Sequence, residues 1–124
     1  MTLIELSVAI LVLLMFVGLL LVVARAWKRG SDRAACLMNI RQVQLSLRGF
    51  TNSNGMSVGD PLFPPANPEL SVIGPDNFVQ LMPRCPSGGL YSFSGPVVPP
   101  IGTLFMTCSL AGSDGHEPED FDTW

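Results

Sequence analysis

The feature that most constrains this chain is an uncharged apolar run from Leu6 to Ala24, in which Ser7 carries the only polar side chain. As an α-helix, residues 1–24 would be about 36 Å long, enough to cross a bilayer core of roughly 30 Å. A secretory signal peptide has its positive charge before a shorter apolar stretch and a small-residue cleavage site after it. Here the cations follow the run, so we interpret residues 1–24 as a retained membrane helix. These cations are Arg25, Lys28 and Arg29.

Charge is divided between two blocks that sum to a net charge of −3. Residues 25–48 are mainly basic, whereas residues 49–124 contain Arg84 as their only lysine or arginine among many carboxylates. An acidic, loop-rich surface is a poor partner for nucleic acid, so no nucleic-acid site is expected. The basic block has two open interpretations. It either anchors the membrane edge or pairs with acidic surface on a neighbouring copy.

Glu5 is out of place at the head of the apolar run. A carboxylate in hydrocarbon costs about 2–3 kcal/mol on insertion scales and less near the head groups. Glu5 either lies in the head-group layer or pairs with a cation. The nearest cation is the α-amino group of Met1, which points poorly at Glu5 within one helix. A second helix displaced by four residues' rise, about 6 Å, would bring its own Met1 amine level with Glu5. The two charges would then neutralise each other between subunits.

Beyond the membrane exit, apolar residues recur at spacings of four, three, four and three, which predicts an amphipathic continuation of the helix. Gly49 and the polar stretch at 51–55 predict its end, giving a helix of about 50 residues. A basic amphipathic helix can alternatively lie on a membrane surface. Docking of the C-terminal part onto the apolar stripe is the favoured interpretation. The stripe consists of Cys36, Ile40, Val43, Leu47 and Phe50.

All eleven prolines lie beyond Phe50, so the rest of the chain is rich in loops. We expect no regular structure over 51–75, one or two helical turns from Asp76 to Met82, and a hairpin of strands near 90–94 and 103–110. The sequence therefore predicts an α+β fold: a long N-terminal α-helix, hydrophobic in its first half and amphipathic in its second, with a small C-terminal β-hairpin and loop domain. The expected divisions are 1–24, 25–52 and 53–124.

The opening Met-Thr-Leu-Ile-Glu-Leu resembles the processed N-terminus of type IV pilins and type II secretion pseudopilins. In this resemblance, Glu5 matches the family's glutamate and Met1 its processed, usually N-methylated, first residue. Two departures are that phenylalanine is the commoner first residue and that Val22 stands where proline is often found. The segments Cys-Leu-Met-Asn-Ile-Arg-Gln, Cys-Pro-Ser-Gly-Gly-Leu-Tyr and Thr-Cys-Ser resemble a subgroup of bacterial pilin-like proteins.

The resemblance implies a major pilin that polymerises with copies of itself into an extracellular type IV pilus-like filament through its N-terminal helix. Its implied partners are the cytoplasmic membrane before assembly, a prepilin peptidase and the pilus assembly machinery. The implied locations are the bacterial inner membrane and then the extracellular pilus. Two alternatives are a pseudopilin of a type II secretion system and a single-pass anchored periplasmic domain that does not polymerise.

The three cysteines suggest an oxidising compartment and at most one intramolecular disulfide. Cys85 and Cys108 flank the predicted hairpin, and we expect them to form it, with roughly 3 kcal/mol of stabilisation in the chain-entropy model. Cys36 would stay a buried free thiol, although it could also capture either partner.

No enzyme, cofactor or metal site is expected. The only histidine, His116, lies in an acidic tail with no cysteine near it in sequence, so a nucleophile would have no base. Three dispersed cysteines make a poor zinc set. The tail carboxylates between 114 and 122 are suitable oxygen ligands for Ca²⁺, but their spacing matches no calcium loop.

The resemblance generates a prediction about the mature end. Mass spectrometry of N-terminal peptides from isolated fibres is expected to find Met1 as the first residue, with one added methyl group on its amine. Formyl-methionine, or residues upstream of Met1, would contradict prepilin processing.

Overall fold

The computed structural model describes residues 2–124. The elements, in chain order, are α1 (Leu3–Ser53), a 3₁₀ turn (Pro68–Ser71), β1 (Tyr91–Phe93), β2 (Met106–Cys108) and α2 (Ala111–Asp114). The chain divides into two compact units, Met1–Ser31 and Asp32–Trp124. The predicted α+β fold, with one long N-terminal helix and a small antiparallel sheet, is confirmed.

Helix α1 runs for 51 residues because nothing in its sequence interrupts it. It contains no proline, and Glu5 in its first turn interacts favourably with the positive end of the helix dipole. Its end is set by Gly55, whose φ of 62° is in the left-handed region. The Met56 N–H donates to the Thr51 carbonyl at 2.9 Å and the Gly55 N–H to that of Asn52 at 3.4 Å. This is a Schellman cap, which satisfies carbonyls that the helix leaves unpaired.

Strands β1 and β2 pair antiparallel, with Tyr91 opposite Cys108 and Phe93 opposite Met106. On the outer face, the hydroxyls of Ser92 and Thr107 are 2.9 Å apart and share a hydrogen bond. Met106 and Cys108 alternate with Thr107, so that the first two are buried and the third is half-exposed. One face of this short hairpin therefore points into the core.

The core of residues 32–124 lies between the second half of α1 and the C-terminal segments. Gln44, only 1% exposed, connects the two. Its Nε2 donates to the Thr103 carbonyl at 3.1 Å, and its Oε1 accepts the Phe105 N–H at 2.9 Å. Because both ends of the amide are bonded, a polar side chain is tolerated in a buried position.

The helical turns predicted between Asp76 and Met82 are wrong. Residues 72–79 form a tight reversal in which the Val79 N–H donates to the Val72 carbonyl and the Gly74 N–H to the Val79 carbonyl. The Asn77 side chain donates to the Leu70 carbonyl at 2.8 Å. Burial of Val79 against the core favours this reversal over a local helix. The 3₁₀ turn and α2 were not predicted.

Replacing Gln44 by alanine should destabilise the domain, because the buried Phe105 N–H then loses its acceptor. An unsatisfied buried donor costs about 1–3 kcal/mol, and 1 kcal/mol lowers Tm by roughly 4–8 °C in a domain of this size. Thermal unfolding of the full chain in detergent, followed by circular dichroism, measures the loss. Gln42→Ala is the matched control, because Gln42 is an exposed glutamine of the same helix. Equal melting temperatures for the two variants would contradict the role given to Gln44.

Candidate functional site

The first candidate site is the apolar surface of residues 3–24. Every side chain along it is exposed, including Leu3 at 91% and Phe16 at 61%. By length and composition, α1 could cross a membrane. Next to the run, Trp27 is 81% exposed among three exposed cations. Tryptophan beside basic residues is typical of a membrane–water interface. The cations are Arg25, Lys28 and Arg29.

Glu5 is exposed in the first turn of this surface. Within residues 2–124 its carboxylate makes no ion pair, and the one that is present there joins Arg33 to Glu119 at 3.7 Å. Met1, the predicted assembly partner of Glu5, lies outside the residues that the structure describes. The intermolecular pairing therefore stays a prediction.

The stripe predicted on the second half of α1 faces the domain core. Cys36, Ile40, Val43 and Leu47 are each at most 1% exposed, and Phe50 packs against the same cluster. Asn39, beside the stripe, donates from Nδ2 to the Arg84 carbonyl at 3.1 Å and to the Tyr91 hydroxyl at 3.2 Å. At the far end, Arg48 donates to the carbonyls of Pro99, Pro100 and Trp124.

The second candidate site is a buried cluster of three thiols and one imidazole, which we call the Cys/His cluster. It comprises Cys36, Cys85, Cys108 and His116. Their ligand atoms all lie within 4.8 Å of one another, and the Cys85 Sγ is 3.4 Å from His116 Nδ1. All three cysteines are free thiols in this structure. The Cys85–Cys108 disulfide is therefore not formed here and stays a prediction.

Four separate segments supply the cluster. Cys36 comes from α1, and Cys108 is the last residue of β2. Cys85 precedes a Pro-Ser-Gly-Gly turn that is closed by the Gly88 N–H donating to the Cys85 carbonyl at 3.0 Å. His116 follows Gly115, which ends α2 in the left-handed conformation, with φ of 65°.

Two of the three sulfur atoms have a side-chain hydrogen-bond partner. The Tyr91 hydroxyl donates to the Cys36 Sγ at 3.3 Å and itself accepts a hydrogen bond from Asn39. Burial raises the pKa of the Cys36 thiol to about 12, although the Tyr91 bond opposes this shift. Burial also raises the pKa of Cys85, but the backbone N–H groups of Gly89 and Ser87, with the neighbouring thiols, lower it by more. The two buried thiols are thus in different electrostatic surroundings.

Sequence reasoning treated the cysteines as dispersed and set His116 apart from them. The structure corrects that view, because the hairpin, α2 and the docked helix bring all four groups together. Sequence motifs for metal sites are recognised by pairs of ligands a few residues apart. They miss a site in which four segments contribute one ligand each. The composition did contain a signal for such a site. Small domains with little core often need a metal ion, and the three cysteines and one histidine of this chain together make a Cys₃His ligand set.

In comparisons with known proteins, no family model, no curated protein and no solved structure matches the chain. The class that the fold defines is therefore a coarse one. The chain has a long N-terminal apolar helix followed by a small sheet domain, and this architecture is compatible with a pilin fold.

Gly89 is the residue that leaves room for the Cys/His cluster. A Cβ built on it would lie 2.5 Å from the Cys108 Sγ and 3.2 Å from the Cys85 Sγ. Gly89→Ala should therefore displace the thiols and destabilise the domain by about 1–3 kcal/mol, as overpacked cores do. The control is Gly112→Ala, because a Cβ there meets nothing within 4 Å. Thermal melts of both variants test this, and a Gly89→Ala protein as stable as the control would contradict it.

Proposed function

We propose that this chain is the structural subunit of a type IV pilus-like filament, polymerising with copies of itself through its N-terminal helix. Before assembly, the helix would hold the subunit in the bacterial inner membrane. A prepilin peptidase and the assembly machinery would then process it and extract it into an extracellular fibre. The proposal joins the Met-Thr-Leu-Ile-Glu opening to the physical properties of residues 3–24.

The observation that carries the proposal is the position of Glu5. It is an exposed carboxylate at the head of an exposed apolar surface, with no ion-pair partner within residues 2–124. A charge entering hydrocarbon or a packed helical core needs a counter-charge. In a filament, a copy displaced by about four residues along the axis supplies one with its terminal amine.

The apolar surface supports the same proposal because all sides of this helix must be shielded from water. The side chains of residues 3–24 are exposed around the whole circumference of the helix. Lipid covers such a surface in a bilayer, and neighbouring apolar helices can replace lipid at little cost in hydrophobic free energy. Gly18 lies in the middle of this exposed surface. A mid-helix glycine costs about 1 kcal/mol relative to alanine but lets another helix approach closely.

The rest of the chain fits the role of a carried domain. The stripe from Cys36 to Leu47 is already covered by residues of the same subunit, so this part of α1 is not free to bind a membrane surface. The alternative of an amphipathic helix lying on the membrane over this stretch is therefore disfavoured. Polymerisation would rest on residues 3–24.

Glu5→Gln tests the assembly role. Glutamine keeps the size of the side chain and removes its charge, so we expect normal membrane insertion but at least a tenfold loss of fibres. The measurement is the amount of sheared filament, with electron microscopy, from cells whose only subunit is the variant. Membrane fractionation of the same cells reports insertion separately.

Asp32→Asn is the matched control, because it removes a carboxylate of the same helix outside the apolar run. It should leave fibre yield unchanged. Normal fibres from Glu5→Gln would refute the charge pairing. Wild-type protein that stays monomeric in the membrane would refute the filament itself and favour a simple anchored domain. Short, machinery-dependent assemblies would favour a pseudopilin.

A further inference from the structure

The Cys/His cluster has a property that the filament proposal does not use. Four groups able to bind a metal ion converge in a buried position within a chain that has no other histidine and no other cysteine. Cys36 and Cys108 are 0% and 4% exposed, Cys85 is 6% exposed and His116 is 2% exposed. Buried free cysteines are common as small apolar side chains, but three thiols that converge on one imidazole also make the ligand set of a structural zinc site.

We propose that Cys36, Cys85, Cys108 and His116 form a structural binding site for one thiophilic divalent cation, with Zn²⁺ as the best fit. The three sulfur atoms and the His116 Nδ1 would be its four ligands. This proposal is independent of the filament, because it concerns only residues 32–124 and would hold equally for an anchored domain that never polymerises.

Distances favour a tetrahedral ion. Zinc–sulfur bonds of about 2.3 Å and zinc–nitrogen bonds of about 2.0–2.1 Å place a sulfur roughly 3.6 Å from a nitrogen and roughly 3.8 Å from another sulfur. The Cys85 Sγ and His116 Nδ1 are 3.4 Å apart, close to that separation. No pair of ligand atoms is more than 4.8 Å apart, so closing around an ion requires side-chain movements of at most about 1 Å.

The donor set selects the metal and its role. Three soft thiolates and one imidazole suit zinc and disfavour Ca²⁺ and Mg²⁺, which prefer oxygen ligands. Four protein ligands leave no open position for water or substrate, and such closed sites are structural. On binding, each thiol loses its proton to solvent, so one Zn²⁺ replaces three protons and the site carries a net charge of −1.

The surroundings provide the outer hydrogen bonds that metal thiolates use. Tyr91 donates to the Cys36 Sγ, and Asn39 fixes the Tyr91 hydroxyl by donating to its oxygen. Such partners orient ligands and stabilise their negative charge. Gly89 keeps the space beside two of the sulfurs free, since any Cβ there would enter it.

A metal ion also serves a need of this domain. Its sheet has two strands of three residues each, which is too small to be stable alone. The four ligands would tie α1, the turn after Cys85, the end of β2 and the segment after α2 to one point. The Cys85–Cys108 disulfide is the competing state of the same atoms, and it would leave Cys36 and His116 without a role.

The test uses the full chain, purified in detergent, reduced and desalted without oxygen, with Zn²⁺ and Co²⁺ salts as probes. We expect one Zn²⁺ per chain by elemental analysis, and all three thiols protected from a thiol reagent until a chelator is added. Co²⁺ should give the intense visible absorption of a tetrahedral thiolate complex. Zn²⁺ should raise Tm, because it binds the folded state.

Variants assign the ligands. Cys36→Ala and His116→Gln should each raise the Kd for Co²⁺ at least ~100-fold, whereas Tyr91→Phe should raise it about 10-fold. His116→Cys should retain one ion per chain and strengthen the sulfur-to-cobalt absorption, which keeps the test valid if another variant unfolds. The control neutralises exposed tail carboxylates with Glu117→Gln, Glu119→Gln and Asp120→Asn, and it should bind as the wild type does.

Three results would overturn the proposal. The first is Zn²⁺ binding that leaves the thiols reactive, or a Co²⁺ spectrum typical of oxygen ligands. The second is loss of binding in the tail-carboxylate control while Cys36→Ala and His116→Gln still bind. The third is a peptide map of protein isolated directly from cells in which Cys85 and Cys108 form a disulfide.

Discussion

The two strands have three residues each, which is too little apolar surface to form a core by themselves. The structure of residues 32–124 therefore depends on a further apolar surface that packs against them. The second half of α1 supplies the missing apolar face, and buried residues from β2 and from several loops form one core cluster with it. Gln44 fixes the register of that docking, because its amide bonds both an N–H and a C=O beside β2. A sliding or rotated helix would break both bonds and leave buried groups unpaired.

Much of this was readable from the sequence. Spacings of four and three marked Cys36, Ile40, Val43 and Leu47 as one face, and the structure buries all four. Alternation near Tyr91 and Met106 predicted the hairpin. Local sequence patterns gave the wrong secondary structure where contacts with other segments determine it. Residues 76–82 have the pattern of a capped helical turn, but the Val79 N–H donates to the Val72 carbonyl instead. The buried role of Gln44 could not be predicted either, since no feature of the local sequence distinguishes it from the exposed Gln42.

The candidate sites differ in the same way. The apolar surface of residues 3–24 and the odd carboxylate of Glu5 are properties of one continuous segment, so sequence alone reveals them. The Cys/His cluster is a property of tertiary structure, since its members are contributed singly by four segments. The two sites also have opposite physical character. One is an exposed surface, whereas the other is enclosed within the domain of residues 32–124.

The docking of α1 also has a consequence for the order of events during biosynthesis. Asn39, Gln44 and Arg48 bond to groups that lie 45 to 76 positions further along the chain. Synthesis proceeds from the N-terminus at roughly 5–20 residues per second, so several seconds pass between emergence of the helix and of its partners. During that interval the stripe on α1 is not yet covered by the rest of the domain, and Cys36 is accessible. The packed core of residues 32–124 can therefore form only after Trp124, the last of these partners, has been synthesised.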